Sequence, residues 1–303
     1  MLASDDAATV QELLTALFVA ASAPRTIPSV LLAREHVLHT LVAYVMILVG
    51  WVVIVVEVGL GAHAPYGRHG ALPSARRFGP LIPAKLAWAF QESWAFLIPV
   101  ALLLSSPEST LQRFQAAPED ALLLSMFMGH YAYRAFVFPL RMRGGKPMRI
   151  GICFLAALFC LVNGYLQGRT WTASGGGWPL QPRRLDSAAS VTVFAAGVAL
   201  WALGLWVNLH ADHVLRMLRK PGETGYRIPH GGAFTLVSGA NYFGEIVEWC
   251  GYAMASGGAL PAVAFAFFTF ANTAPRAHHH HLWYREKFED YPRERRAVIP
   301  FIW

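Results

Sequence analysis

Gly239–Tyr252, GANYFGEIVEWCGY, sets Asn241, Glu245 and Glu248 inside an otherwise apolar run long enough to cross a membrane. An isolated carboxylate at the bilayer centre costs about 2.5–3.5 kcal/mol on insertion scales. Such a group persists where it faces a polar cavity or a partner. Steps of four and three residues put all three on one helical face, able to address a common pocket. The working part is therefore expected inside a helical bundle, away from lipid.

Composition agrees with that setting. Of 303 residues 55% are hydrophobic and 14% charged, whereas a soluble domain carries about 25% charged residues. The chain reads as all-α and polytopic. Its net charge of +7 comes from basic residues in the short gaps between apolar runs, where membrane topology puts them, so no nucleic-acid partner is inferred. Cys153, Cys160 and Cys250 all lie in apolar runs without metal spacing and read as buried free thiols.

Working outward, residues 5–21 open on Asp5 and Asp6 and predict a peripheral helix, with residues 1–35 as an N-terminal extension. Seven runs follow: Val37–Leu60, Ala84–Leu104, Leu122–Leu140, Ile150–Tyr165, Ala188–Leu215, Gly232–Ser256 and Ala259–Ala274. Glu57 falls near the end of the first, where the interface is expected to hydrate it. Gln91 and Glu92 fall within the second, and His130, Tyr131, Tyr133 and Arg134 crowd the middle of the third. Residues 174–178, SGGGW, predict a surface turn. Gly257-Gly258 separates the last two runs.

The gaps after runs one, three, five and seven carry Arg68, Arg76 and Arg77, then Arg141, Arg143 and Lys146, then Arg219, Lys220 and Arg227, then Arg285, Lys287, Arg293, Arg295 and Arg296. The other gaps carry Arg113 and Arg169, Arg183 and Arg184. The charge rule predicts seven transmembrane helices with the N-terminus outside and the C-terminus cytosolic.

Two constellations carry chemistry. Asn208, Asp212 and Arg216 recur every four residues, and Arg219 follows at three. Asn208, Asp212 and Arg219, with Tyr226, Asn241, Glu245 and Tyr284, are the groups that hold a polyhydroxylated, phosphate-bearing ligand: guanidiniums take phosphates, carboxylates take ribose hydroxyls, amides read a carboxamide or base edge. Pairing of these groups with one another between helices is the competing reading. The N-terminal half offers Gln91, Glu92, Tyr131 and Arg134 in an apolar setting, which suits an apolar substrate with one polar handle. A carboxyl group in a low-dielectric site can keep its proton and, beside a tyrosine, donate to a carbonyl oxygen as an enolate forms. Glu92 could instead be a buried partner of Arg134. His278–His281 are adjacent on a helix, point about 100 degrees apart and do not converge on one ion, so no metal is inferred.

The strings GHYAYRAFVFPL (129–140), NGYLQG (163–168), NLHADHVLRMLRKPGETGYRIPHGGAF (208–234), SGANYFGEIVEWCGYA (238–253) and HHHHLWYREKFEDYPRERRAVIPFIW (278–303) resemble the steroid 5-alpha-reductases, the 3-oxo-5-alpha-steroid 4-dehydrogenase family, in a bacterial-type homologue. The likeness covers about residues 36–303. It implies a seven-helix enzyme that uses NADPH to reduce the delta-4 double bond of a 3-oxo steroid, with residues 36–140 mainly on the steroid side and 141–303 mainly on the NADPH side. The resemblance places 3-keto recognition on Glu92 and Tyr131, beside Gln91 and Arg134. It places dinucleotide binding on Asn208, Asp212, Arg219, Tyr226, Asn241, Glu245, His280 and Tyr284, and on the basic loop at Arg143 and Lys146, where the spacing departs by one residue around Gly145.

The partners so implied are a steroid entering from the lipid phase and membrane lipids, for a monomer in a bacterial inner membrane. Alternatives are an enoyl-thioester reductase of lipid elongation, an isoprenylcysteine-type methyltransferase, from which Arg219-Lys220-Pro221 departs, and a non-catalytic sterol binder.

Overall fold

The computed structural model describes residues 27–61, 73–173, 185–218 and 225–303. The peripheral helix expected over 5–21, the turn at 174–178, and Arg68, Arg183, Arg184, Arg219 and Lys220 lie outside the described residues.

Helix α1 (Ile27–Ile54) continues through a π-helical turn, Val55–Gly59. A two-residue strand β1 (Leu81–Ile82) leads into α2 (Ala84–Ser105). Helices α3 (Pro107–Ala116) and α4 (Pro118–Ala132) each begin on proline, whose fixed φ suits the first turn and whose missing N–H costs nothing there. A second π-helical turn, Tyr133–Val137, joins α4 to the short α5 (Phe138–Arg141). Strand β2 (Met148–Arg149) pairs antiparallel with β1, Leu81 opposite Arg149. Then come α6 (Ile150–Thr172), α7 (Ala188–Met217), α8 (Ala240–Ala255) and α9 (Leu260–Lys287). Ser187 and Ser190 cap α7 reciprocally.

The protein is mostly helical. Among the described residues five stretches, Arg34–Gly59, Ala84–Ser105, Pro118–Arg141, Ile150–Thr172 and Ala188–Met217, are long and apolar enough to cross a bilayer, and Leu48, Trp51 and Val52 of the first turn outward. It is an integral membrane protein.

The last two runs differ from expectation. Helix starts at Ala240, eight residues later than the apolar run beginning at Gly232. Gly231 and Gly232 both take positive φ (88° and 53°), a conformation open to glycine. The segment after them then bonds to the C-terminal tail: Arg296 N–H donates to the Leu236 carbonyl (2.9 Å), Ser238 N–H to that of Arg296 (2.9 Å) and Gly239 N–H to that of Ala297 (2.9 Å). At 16 residues, α8 is about 24 Å long. Gly257 and Gly258 (φ 72° and 79°) reverse the chain into α9, which runs thirteen residues beyond the expected end at Ala274.

Two smaller expectations also fail. Glu57 is buried, only 8% exposed, and lies within the π-helical turn in electrostatic reach of Arg276 on α9 rather than in a hydrated interface. Cys250 is exposed, while Cys153 and Cys160 are buried; its position on α8 faces outward in an all-apolar run where burial cannot be read from hydropathy.

Glycines decide how α7 meets α8. Gly197 and Gly204 face Ala255 and Glu248, and Gly244 and Gly251 face Asn208 and Trp201, each with backbone against backbone. Small residues at such an interface allow the close approach that replaces a water-driven hydrophobic force in lipid. Beside this pair an aromatic core joins α4, α8 and α9. Phe127 meets Tyr131 at 4.8 Å and Trp249 meets Phe265 at 4.3 Å between ring centroids, and Trp171 of α6 donates to the Tyr252 hydroxyl (2.7 Å). Arg169 of α6 grips Glu35 of α1 with two bonds (2.6 and 2.7 Å).

The tail is tied down beyond the end of the last apolar run. The Ser238 hydroxyl bonds with His281 Nδ1 and with the Tyr291 hydroxyl, both at 2.6 Å. Burial, with Arg285 nearby, pushes the His281 pKa down from 6.5 to about 4. The neutral ring belongs to the folded state and the protonated ring to the unfolded one, so this stability is full above pH about 6.5 and is lost as pH falls toward 4. The unfolding midpoint in detergent is expected to drop from pH 7.5 to pH 5 by less in His281→Gln than in the unmodified protein. Parallel pH dependences would remove this role.

Candidate functional site

The site builds from the end of α4. There the π-helical turn, a feature that recurs at functional sites, aims Arg134 inward. Its guanidinium lies over the rings of Trp88 (4.7 Å) on α2 and Phe138 (4.5 Å) on α5. Nη1 donates to Asp212 Oδ2 of α7 (3.3 Å), and Nη2 stands 3.8 Å from Glu245 Oε1 of α8. Asn208 Nδ2 donates to the Asn241 carbonyl (3.0 Å) and to Glu245 (3.4 Å), while Asn208 Oδ1 is buried without a partner. Among the described residues Arg134 is thus within 4 Å of the carboxylates expected on the dinucleotide side, and Glu92 acts on its charge from farther away; it joins the two halves of the candidate set.

On one side of this knot, α6 brings Glu92 and Tyr131 together. Cys160 Sγ lies 4.0 Å from Glu92 Oε2, and Asn163 Nδ2 donates to the Tyr131 hydroxyl (3.4 Å). Cys160 and Asn163 are three residues apart and share a helical face. Asn163 is itself held, since its Oδ1 accepts from Gln167 Nε2 (3.1 Å). The phenol oxygen accepts this bond, and among the described residues no hydrogen bond is donated by the phenol proton. Gln91 is buried next to Glu92 with Oε1 unbonded. His130 packs edge-on against Tyr131 (5.1 Å) and bonds through Nδ1 to Glu248 Oε1 (2.7 Å).

On the other side opens a cavity of about 300 Å³, at the lower end of ligand-site volumes. Of the expected dinucleotide residues, Arg143, Tyr226, Asn241, His280 and Tyr284 line it. Lys146 stands over the Tyr226 ring at 5.7 Å. Asn208, Asp212 and Glu245 lie deeper, in the knot, and Arg219 is outside the described residues. The single face expected to carry Asn241, Glu245 and Glu248 to one pocket is therefore divided: Asn241 lines the cavity, Glu245 meets Arg134, and Glu248 is fully buried against His130.

Arg216, Arg227, Ser238 and Tyr242 also line the cavity and were absent from the expected set. The four-residue step from Asp212 already pointed to Arg216; nothing local marked Ser238, which reaches the wall through its pairing with the tail. Arg216 Nη1 is buried without a partner. Three guanidiniums, aromatic rings and an amide match the chemistry of an anionic, aromatic, hydroxylated ligand.

A membrane-embedded helical bundle with a buried tyrosine and glutamate on one flank and an arginine-lined cavity on the other has the parts of an enzyme that joins an apolar substrate to an anionic one. The model of the family described as 3-oxo-5-alpha-steroid 4-dehydrogenase matches residues 146–303. The chain is 44% identical over 275 residues to 3-oxo-5-alpha-steroid 4-dehydrogenase 1 of Macaca fascicularis, covering 90% of this chain and 96% of the relative. It is 46% identical over 240 residues to the Homo sapiens protein of that name (78% and 85%) and 43% identical over 242 residues to 3-oxo-5-alpha-steroid 4-dehydrogenase 2 of Homo sapiens (78% and 87%). The chain belongs to the 3-oxo-5-alpha-steroid 4-dehydrogenase family and is an oxidoreductase.

Proposed function

We propose that the protein reduces the delta-4 double bond of 3-oxo-delta-4 steroids to 5-alpha-3-oxo steroids with NADPH, in a seven-span arrangement completed by α8 and α9 with the C-terminus cytosolic. The observation that carries this reading is the Tyr131 hydroxyl, which accepts from Asn163 and keeps its own proton for a ligand, with Glu92 brought beside it by α6. Bound NADPH supplies the hydride that goes to C5. Tyr131 and Glu92 would hold the 3-keto oxygen and stabilise the enolate as charge moves onto it, after which C4 would take a proton that comes from solvent water. Gln91 offers a further polar contact beside Glu92. Arg143, Lys146, Arg216 and Arg227 would hold phosphates, Tyr226 and Tyr284 would pack on rings, and Asn241 and His280 would fix orientation. Arg134, bonded to Asp212 and Glu245, keeps the two halves in register, and the steroid enters from lipid.

The test is NADPH oxidation by the purified protein with and without testosterone or progesterone, with product stereochemistry checked by mass spectrometry. A steroid-dependent 5-alpha product supports the reading. NADPH binding without steroid turnover moves the substrate to another enone or an enoyl thioester, and S-adenosylmethionine binding in place of NADPH overturns it.

Arg216→Gln is expected to weaken NADPH affinity by about 10- to 100-fold, the worth of one charge-assisted hydrogen bond, while leaving kcat near its original value at saturating cofactor. Binding titration and saturation kinetics read the two separately. A fall in kcat with unchanged affinity would move Arg216 out of the cofactor wall.

A further inference from the structure

The last six residues close into a hook. Val298 N–H and Ile299 N–H both donate to the Trp303 carbonyl (2.8 and 2.6 Å), and Trp303 N–H donates back to the Ile299 carbonyl (3.0 Å). The hook holds Phe301 at φ 66°, the one non-glycine residue with positive φ among those described, a region that disfavours a bulky side chain. The result is an outward pair: Phe301 is 79% exposed and Ile302 78%, while the Trp303 ring turns inward.

The depth of the hook follows from the packing of α9 on α1. Gly50 abuts Phe267 and Ala271, the Trp51 and Phe267 rings are 5.1 Å apart, and Glu57 is in reach of Arg276. Residue numbers rise together, so the two helices run parallel. Trp303 lies 6.4 Å from the Phe270 ring and 5.8 Å from that of His278, which puts it level with the last turns of the stretch ending at Gly59. That stretch has 26 residues and is about 39 Å long, against a hydrocarbon core of about 30 Å. Its last turns therefore reach the headgroup boundary, where tryptophan and aromatic side chains concentrate. Arg293 and Arg296, just upstream, are exposed on either side of an exposed Glu294, a net positive surface able to face phosphates.

We propose that this hook is an interfacial anchor, which inserts Phe301 and Ile302 into the headgroup boundary of the phospholipid bilayer. The consequence reaches the cavity. Arg296 and Ala297, a few residues before the hook, accept the bonds from Ser238 and Gly239, and Ser238 lines the cavity. Lipid thus steadies the segment that frames it.

The test uses the full chain in phospholipid nanodiscs. Ile302→Cys, in a Cys250→Ser background, carries a nitroxide label, and Lys287→Cys, exposed at the end of α9, carries the same label as the aqueous reference. Power saturation is measured with oxygen and with a nickel chelate. The ratio of oxygen to nickel accessibility is expected to be several-fold higher at 302 than at 287. Equal ratios overturn the proposal. Phe301→Cys reports the same depth should the first substitution fail to yield folded protein.

Discussion

Tyr131→Phe is expected to lower kcat by about 100- to 1,000-fold, the usual loss when one donor to a developing oxyanion is removed, while NADPH affinity stays unchanged. The ring remains: it packs among Phe127, Trp249 and Phe265 in the buried core, and phenylalanine fills the same space. What disappears is one hydroxyl, whose proton is donated to none of the described residues and whose oxygen is held by Asn163. Glu92 supplies the companion test. Among the described residues its Oε2 meets the Cys160 thiol at 4.0 Å and no closer hydrogen-bond donor, while the Arg134 guanidinium acts on it through charge alone, so a donor site of the carboxyl stays open to a ligand. Glu92→Gln keeps a donor and the shape and is expected to lose activity modestly; Glu92→Ala is expected to lose nearly all of it. Equal activity in the two variants, or a Tyr131→Phe protein with unaltered kcat, would take 3-keto recognition away from this pair.

The membrane-crossing helices were legible because hydropathy is a local property: each of the first five runs carries its own evidence, and each forms a helix. The start of α8 was not. Residues 232–239 are as apolar as those that follow, yet they form a single 3-10 turn, Gly232–Thr235, and then a stretch held by backbone bonds to a tail nearly 60 residues away, invisible to any local period. The same limit applies to Arg134. Its position in the third run announced a buried partner, but the partners, Asp212 and Glu245, come from helices far along the chain. Glu92 and Tyr131 were legible as misplaced polar groups, and their roles were legible only through family resemblance, since nothing in their spacing says that Cys160 and Asn163 bring them together. Glycines were the least legible. Gly197 and Gly204, like Gly244 and Gly251, are seven residues apart, yet in a run already rich in small residues that spacing does not reveal which face meets another backbone.

Gly204→Ala should therefore be the most damaging single methyl in the protein's frame. A Cβ at Gly204 would fall on the Glu248 backbone, and one at Gly244 would lie 2.5 Å from the Asn208 nitrogen. Neither obstacle is a side chain able to rotate away, so α7 and α8 must separate. Overpacking a core costs about 1–3 kcal/mol when side chains can adjust, and here the cost belongs at or above the upper end. Separation would also stretch the bond from Asn208 to the Asn241 carbonyl (3.0 Å) and move Asp212 from Arg134 (3.3 Å), so the cavity and the knot should loosen together. The control lies within the same chain. A Cβ at Gly129, inside α4, meets nothing within 4 Å, and alanine favours helix over glycine by about 1 kcal/mol, so Gly129→Ala should keep or raise the unfolding midpoint. Measured by thermal unfolding in detergent, Gly204→Ala and Gly244→Ala are expected to fall well below the unmodified protein while Gly129→Ala does not. If all three behave alike, the approach of α7 to α8 does not hold the two helices, and the polar bonds between them must do so instead.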